Sequence, residues 1–163
     1  MLWVKTFFGI LFQTILLGIF LYLPALTLNW SDAFLLLTIH FLMTILASAY
    51  LLIVKPESIE ARMNYDSKTQ PKEDRLATAL MFSAIFVGLS LAPIDIFHLN
   101  LSSSFEGNIK NIGLAIYIIG MLLFMASINA NEFAETTVNI QEERGQKVID
   151  TGIYSMVRHP MYT

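Results

Sequence analysis

The chain contains no cysteine, which removes disulfides, thiolate catalysis and Cys-ligated metal together. Charge is scarce: only 14% of residues are Asp, Glu, Lys or Arg, against about 25% in ordinary soluble domains. The net charge of −3 is spread over mixed loops, so no basic face is available for nucleic acid and no such partner is expected. Internal repeats and low-complexity tracts are also missing.

What is present is apolar. Hydrophobic residues make up 55% of the 163, and four stretches are long enough to cross a bilayer, which takes about 20 helical residues. They fall at Phe7 to Leu28, Ala33 to Val54, Leu76 to Phe97 and Ile112 to Ile128. A water-facing helix would show polar stripes at a 3.6-residue period. Here Ala33 to Val54 carries no Asp, Glu, Lys or Arg and has His40 as its one imidazole, while Ile112 to Ile128 has none of these groups. The fold class expected is all-α and polytopic: four transmembrane helices in residues 1–128 and a short tail over 129–163. The first segment reads as a span rather than a cleaved leader, because its apolar run is too long and its only nearby cation is Lys5.

Basic residues favour the cytoplasmic side of a membrane. Placing the Lys55–Arg75 loop there gathers Lys5, Lys55, Arg62, Lys68, Lys72, Arg75, Arg144, Lys147 and Arg158, nine of the ten Lys+Arg, and leaves only Lys110 outside. Both termini are then expected in the cytoplasm. Single cysteines introduced at Ser67 and at Ser103 are expected to label with an impermeant maleimide from opposite sides of sealed vesicles. Labelling of both from one side would refute the arrangement.

Between the spans, Asn29-Trp30-Ser31-Asp32 reads as a tight turn with Trp30 at interfacial depth and Asp32 capping the second helix. The loop from Lys55 to Arg75 has five acidic and five basic residues and two prolines, Pro56 and Pro71, and reads as a solvated connector. Asp95 is expected near the outer interface in a structural role. His40 lies near mid-membrane, where a neutral imidazole bonded to a neighbouring helix is the expected state.

The chemistry concentrates at the end of the chain, in Gly152-Ile153-Tyr154-Ser155-Met156-Val157-Arg158-His159-Pro160-Met161-Tyr162-Thr163. Arg158 can grip a carboxylate or phosphate in two hydrogen bonds. His159 titrates near neutrality. Tyr154 and Tyr162 offer rings for a flat base or a cation. Gly145 and Gly152 allow backbone to approach a ligand closely, and Val138 to Gln141 could be extended. One histidine without an acidic neighbour is a poor metal set, so none is expected. A nucleotide-like cofactor with an anionic end suits the inventory; a basic-aromatic membrane anchor is the plainer alternative.

The order of residues from Thr136 through Gln141, Gly152-Ile153-Tyr154 and Arg158-His159-Pro160-Met161-Tyr162 resembles the isoprenylcysteine carboxyl methyltransferase family. These are membrane-embedded enzymes that use S-adenosylmethionine. The Arg-His-Pro-x-Tyr run alone also occurs in phospholipid methyltransferases and in NADPH-dependent membrane sterol reductases; Gln141 and the Gly-Ile-Tyr spacing favour the first family. The resemblance implies a cofactor site made by Gln141, Gln146 (histidine in some members), Lys147, Val148, Ile149, Tyr154, His159, Pro160, Met161 and Tyr162. It implies a lipid-linked carboxylate as substrate and a pocket open to both lipid and cytosol. The family continues to a later Arg and Glu that lie beyond Thr163. The chain therefore reads as incomplete and inactive by itself, its site finished by further sequence or by a second chain. A membrane reductase and a non-catalytic membrane protein are the other two readings.

Overall fold

The computed structural model describes residues 1–63, 72–101, 108–131, 133, 148–158 and 160. Their regular elements are all helical: α1 Leu2–Ala25, α2 Ser31–Val54, α3 Pro56–Met63, α4 Lys72–Ile94 continued by a π-helical turn Asp95–Leu99, α5 Asn108–Ala130, and a 3₁₀ turn Gly152–Ser155. Four of them, α1, α2, the α4–π unit and α5, are long and apolar enough to cross a membrane. The multi-pass all-α expectation is met.

Surface and interior are distributed as lipid demands. Large apolar side chains face outward, Phe34 at 69% exposure and Ile53 at 73%, while Ser127 is at 0% and His40 at 6%. Hydrocarbon offers backbone and hydroxyl groups no partner, so each must be satisfied within the protein. Thr6, Thr14, Thr38 and Ser127 do so by donating to the carbonyl four residues back, at 2.7–3.0 Å.

Helix α1 packs on both α2 and α4, and α2 in turn carries α5. Phe20 of α1 stacks on Phe86 of α4 with ring centroids 4.2 Å apart. Gly18 lets α1 and α2 close up, since a Cβ placed there would already lie 3.5 Å from Leu37. At one end Leu51, Leu52, Ile59 and Ile128 form a buried cluster with Leu2 against it, joining α1, α2, α3 and α5. At the other end Trp30 meets Phe97 edge-on at 5.3 Å, and the Tyr22 hydroxyl donates to the Trp30 carbonyl at 3.2 Å.

Several boundaries differ from the sequence expectation. α1 begins at Leu2 and stops at Ala25, because Leu26, two residues after Pro24, turns left-handed (φ 54°). α5 runs on to Ala130, so the tail begins two residues later than the 128/129 division. Asp32 does not cap α2: the helix opens at Ser31, no side chain caps it, and Asp32 pairs with Lys110 at 2.6 Å instead. A cation at the head of α5 outcompetes a backbone N–H for that carboxylate. Asp95 has the structural role expected of it, accepting from the Leu101 amide at 2.7 Å where Pro93 and the π turn end the helix.

The connector after Lys55 is the larger departure. Its first part is the helix α3, opened by Pro56, whose missing N–H is not needed in a first turn. Glu57 at its start and Arg62 at its end both suit the helix dipole. Ser58 and Ile59 are buried, which ties α3 to the bundle rather than leaving it in solvent.

Candidate functional site

Two places hold polar side chains in quantity. The first is inside the bundle. His40 of α2 has its Nδ1 2.6 Å from the Tyr117 hydroxyl of α5 and its Nε2 3.4 Å from the Gln13 amide of α1. One imidazole thus ties three helices together, as the expected bond from His40 to a neighbouring helix, with partners that lie 77 and 27 positions away. If the Gln13 amide donates to Nε2, the Nδ1–H donates to Tyr117; with the amide turned over, Tyr117 donates to Nδ1. Both arrangements leave the ring uncharged, and no acidic group among the described residues is bonded to them.

The second lies where the tail returns to the end of α5. Thr151 is extended and Gly152 has φ +60°, a left-handed conformation open to glycine at little cost. The chain then makes a 3₁₀ turn held by Tyr154 N–H to Thr151 O at 3.2 Å and Val157 N–H to Ile153 O at 3.1 Å, with the Ser155 hydroxyl donating to Gly152 O at 2.7 Å. A Cβ on Gly152 would lie 3.6 Å from that of Ala130, the last residue of α5. The turn therefore rests directly on the helix end. Phe133, buried, donates its N–H to the Asn131 side-chain oxygen at 2.9 Å.

This fold-back shapes a recess of about 560 Å³ lined by Val148, Ile149, Asp150, Tyr154, Ser155 and Arg158. It is a surface recess, with Val148, Asp150, Ser155 and Arg158 exposed around it. Three of the expected cofactor residues, Val148, Ile149 and Tyr154, line it together. Pro160 is buried but is not part of that lining. Gln141, Gln146, Lys147, His159, Met161 and Tyr162 lie outside the described residues, as does the Val138–Gln141 stretch. Asp150 and Ser155 were not singled out from sequence; nothing in their spacing marks them until the 3₁₀ turn brings them beside Tyr154. A second recess, about 520 Å³ along the C-terminal half of α1 and the turn after it, from Ile15 to Leu28, is mostly apolar and offers little to orient a polar ligand.

Chemically the described lining of the tail recess offers the Asp150 carboxylate, the Arg158 guanidinium, the Tyr154 phenol and the Ser155 hydroxyl. Among the described residues no group of His, Asp and Glu could hold a metal ion. The family model of DUF1295, a protein of unknown function, matches residues 57–163, from α3 through the tail. The chain belongs to the DUF1295 family. No curated protein and no solved structure matches it significantly. The DUF1295 region takes in α3, α4, α5 and the whole recess, so the fold-back of the tail onto α5 lies within it.

Proposed function

We propose that the tail recess binds S-adenosylmethionine and that the protein is a membrane methyltransferase acting on a lipid-linked carboxylate. The observation that carries this reading is the charge balance of the recess: Asp150 and Arg158 flank Tyr154. S-adenosylmethionine is itself mixed in charge, with a sulfonium, an ammonium and a carboxylate on one flat base and ribose. Arg158 suits the carboxylate in a bidentate grip. Asp150 suits the ammonium or the ribose hydroxyls, and the Tyr154 ring suits the base or the sulfonium. NADPH would bring a pyrophosphate and a further phosphate to a recess whose described side chains include one cation. The resemblance of Gln141 through Tyr162 to isoprenylcysteine carboxyl methyltransferases supports the same reading.

When bound, the cofactor supplies an electrophilic methyl group. The protein's own task is placement. A carboxylate with a pKa of about 3.5 is already ionised at neutral pH, so no general base is required. Holding its oxygen in line with the methyl and excluding water is catalysis by proximity and desolvation. The recess sits at the end of α5, at the edge of the apolar bundle, where a ligand from water and a lipid-borne one can meet.

The protein purified in phosphatidylcholine nanodiscs is expected to bind radiolabelled S-adenosylmethionine, with S-adenosylhomocysteine displacing it and NADPH not. Binding of NADPH in preference would reverse the assignment in favour of a membrane reductase. Binding of neither would favour a non-catalytic protein.

A further inference from the structure

The corner between α2 and α3 holds polar groups that the cofactor reading does not use. Lys55 ends α2, and its ammonium donates to the backbone carbonyl of Asn129 in α5 at 2.5 Å. That carbonyl is among the last of α5, so part of the contact is plain helix capping. Capping leaves two neighbours unexplained. Ser58, in the first turn of α3, is 2% exposed, and its hydroxyl has no partner; the buried side-chain oxygen of Asn129 has none either. Buried polar groups are nearly always paired, and these two belong to Asn129, whose carbonyl Lys55 holds, and to Ser58, one turn from Lys55, so a ligand could satisfy them.

The corner is compact. The Ser58 amide donates to the Lys55 carbonyl at 3.0 Å, which holds the hydroxyl one turn from the lysine. Ile59, next to Ser58, shares the buried cluster with Ile128, next to Asn129. The donors that can turn inward are the remaining N–H groups of Lys55, the Ser58 hydroxyl rotor and the Asn129 amide, which presents N–H₂ in place of oxygen when turned over. Arg62 lies one turn beyond Ser58 on the same face of α3 and adds positive charge, whereas Glu57 and Glu60 occupy its exposed faces. A charged donor with neutral donors at its side is the chemistry of an anion site.

We propose that Lys55, Ser58 and Asn129 bind the anionic head group of a membrane-borne lipid. The helix ends that form the corner adjoin the apolar bundle, so a lipid tail can remain in the bilayer while its head group reaches Lys55. The corner and the recess share one turn of α5: Lys55 holds the carbonyl of Asn129, and Gly152 rests on Ala130, the next residue. Resting on the methyl-transfer reading, the head group is the carboxylate to be methylated, and Lys55 is its substrate-contacting residue; a lipid phosphate satisfies the same donors.

The test uses the full chain in phosphatidylcholine nanodiscs, with N-acetyl-S-farnesylcysteine and its methyl ester as probes and phosphatidylglycerol as competitor. The acid is expected to bind roughly ten- to a hundred-fold more tightly than the ester, the effect of one charge-assisted contact. Lys55→Gln, which keeps an N–H for Asn129 but loses the charge, is expected to erase that preference, and Ser58→Ala to reduce it. Lys55→Arg should retain it. Competition by phosphatidylglycerol that disappears in Lys55→Gln identifies lipid phosphate as an occupant of the same site. An acid preference undiminished in both Lys55→Gln and Ser58→Ala overturns the proposal, as does the lack of any anion preference in the unsubstituted protein. S-adenosylmethionine affinity is measured in the same variants. It is expected to be unchanged, so failure of the cofactor site and failure of the head-group site are read separately.

Discussion

Arg158→Ala is expected to weaken S-adenosylmethionine binding by roughly ten- to a hundred-fold, the loss of about 1.5–3 kcal/mol that accompanies removal of a charge-assisted hydrogen bond. Arg158 lines the recess with Asp150 and Tyr154, and among its described side chains it is the only cation able to meet the ligand's carboxylate. Arg158→Lys keeps the charge but not the planar fork, so an intermediate loss is expected. Tyr154→Ala should also weaken binding, whereas Tyr154→Phe should be close to neutral because the ring rather than the hydroxyl provides the face for a base or cation. Equilibrium binding of radiolabelled cofactor measures all four variants, and their melting temperatures report whether the tail still docks. Unchanged affinity in both Arg158→Ala and Tyr154→Ala would move the cofactor site away from this recess.

The second large effect is expected inside the bundle. Tyr117→Phe leaves one nitrogen of His40 without its 2.6 Å partner, and His40→Leu leaves both Tyr117 and Gln13 without theirs. In water-soluble cores such orphans cost about 1–3 kcal/mol each. Within a bilayer the unfolded helices also find partners, and measured pair energies average about 0.6 kcal/mol with a maximum near 1.7. The smaller scale governs here, because all three groups lie on membrane-crossing helices. A double-mutant cycle on His40→Leu and Tyr117→Phe is therefore expected to give a coupling of roughly 0.6–1.7 kcal/mol, with the double variant less destabilised than the sum of the single ones. Reversible unfolding in mixed micelles provides the measurement. A coupling of zero would show that the contact does not hold α2 to α5. Methyl-donor affinity should be unaffected, since neither His40 nor Tyr117 lines the recess.

The spans were legible because a bilayer imposes a length and an apolar composition that a sequence displays directly. Ala33 to Val54 could be nothing else, and it became α2 with only its first two residues added. Glycine at 152 was read as a place where backbone approaches a ligand closely; what its positive φ does in the structure is seat the turn on Ala130. The helix α3 was not legible. With eight residues and four charges among Glu57, Glu60, Arg62 and their neighbour Lys55, it shows no stripe, and only the docking of Ile59 onto Leu51, Leu52 and Ile128 makes it part of the bundle.

By itself, then, the sequence determined that this is a multi-pass helical membrane protein with its polar chemistry gathered in one tail, because hydropathy and the placement of Gly, Tyr, Arg and Pro are local properties of the chain. Only the tertiary structure decided which of those groups meet. Tyr117 reaches His40 across 77 positions, Lys110 reaches Asp32 across 78, and Lys55 reaches Asn129 across 74. Asp150 joins Tyr154 and Arg158 only because a left-handed glycine turns the chain back on the end of α5. Such pairings depend on how helices register against one another, and a hydropathy pattern carries no record of register between helices that all face lipid alike.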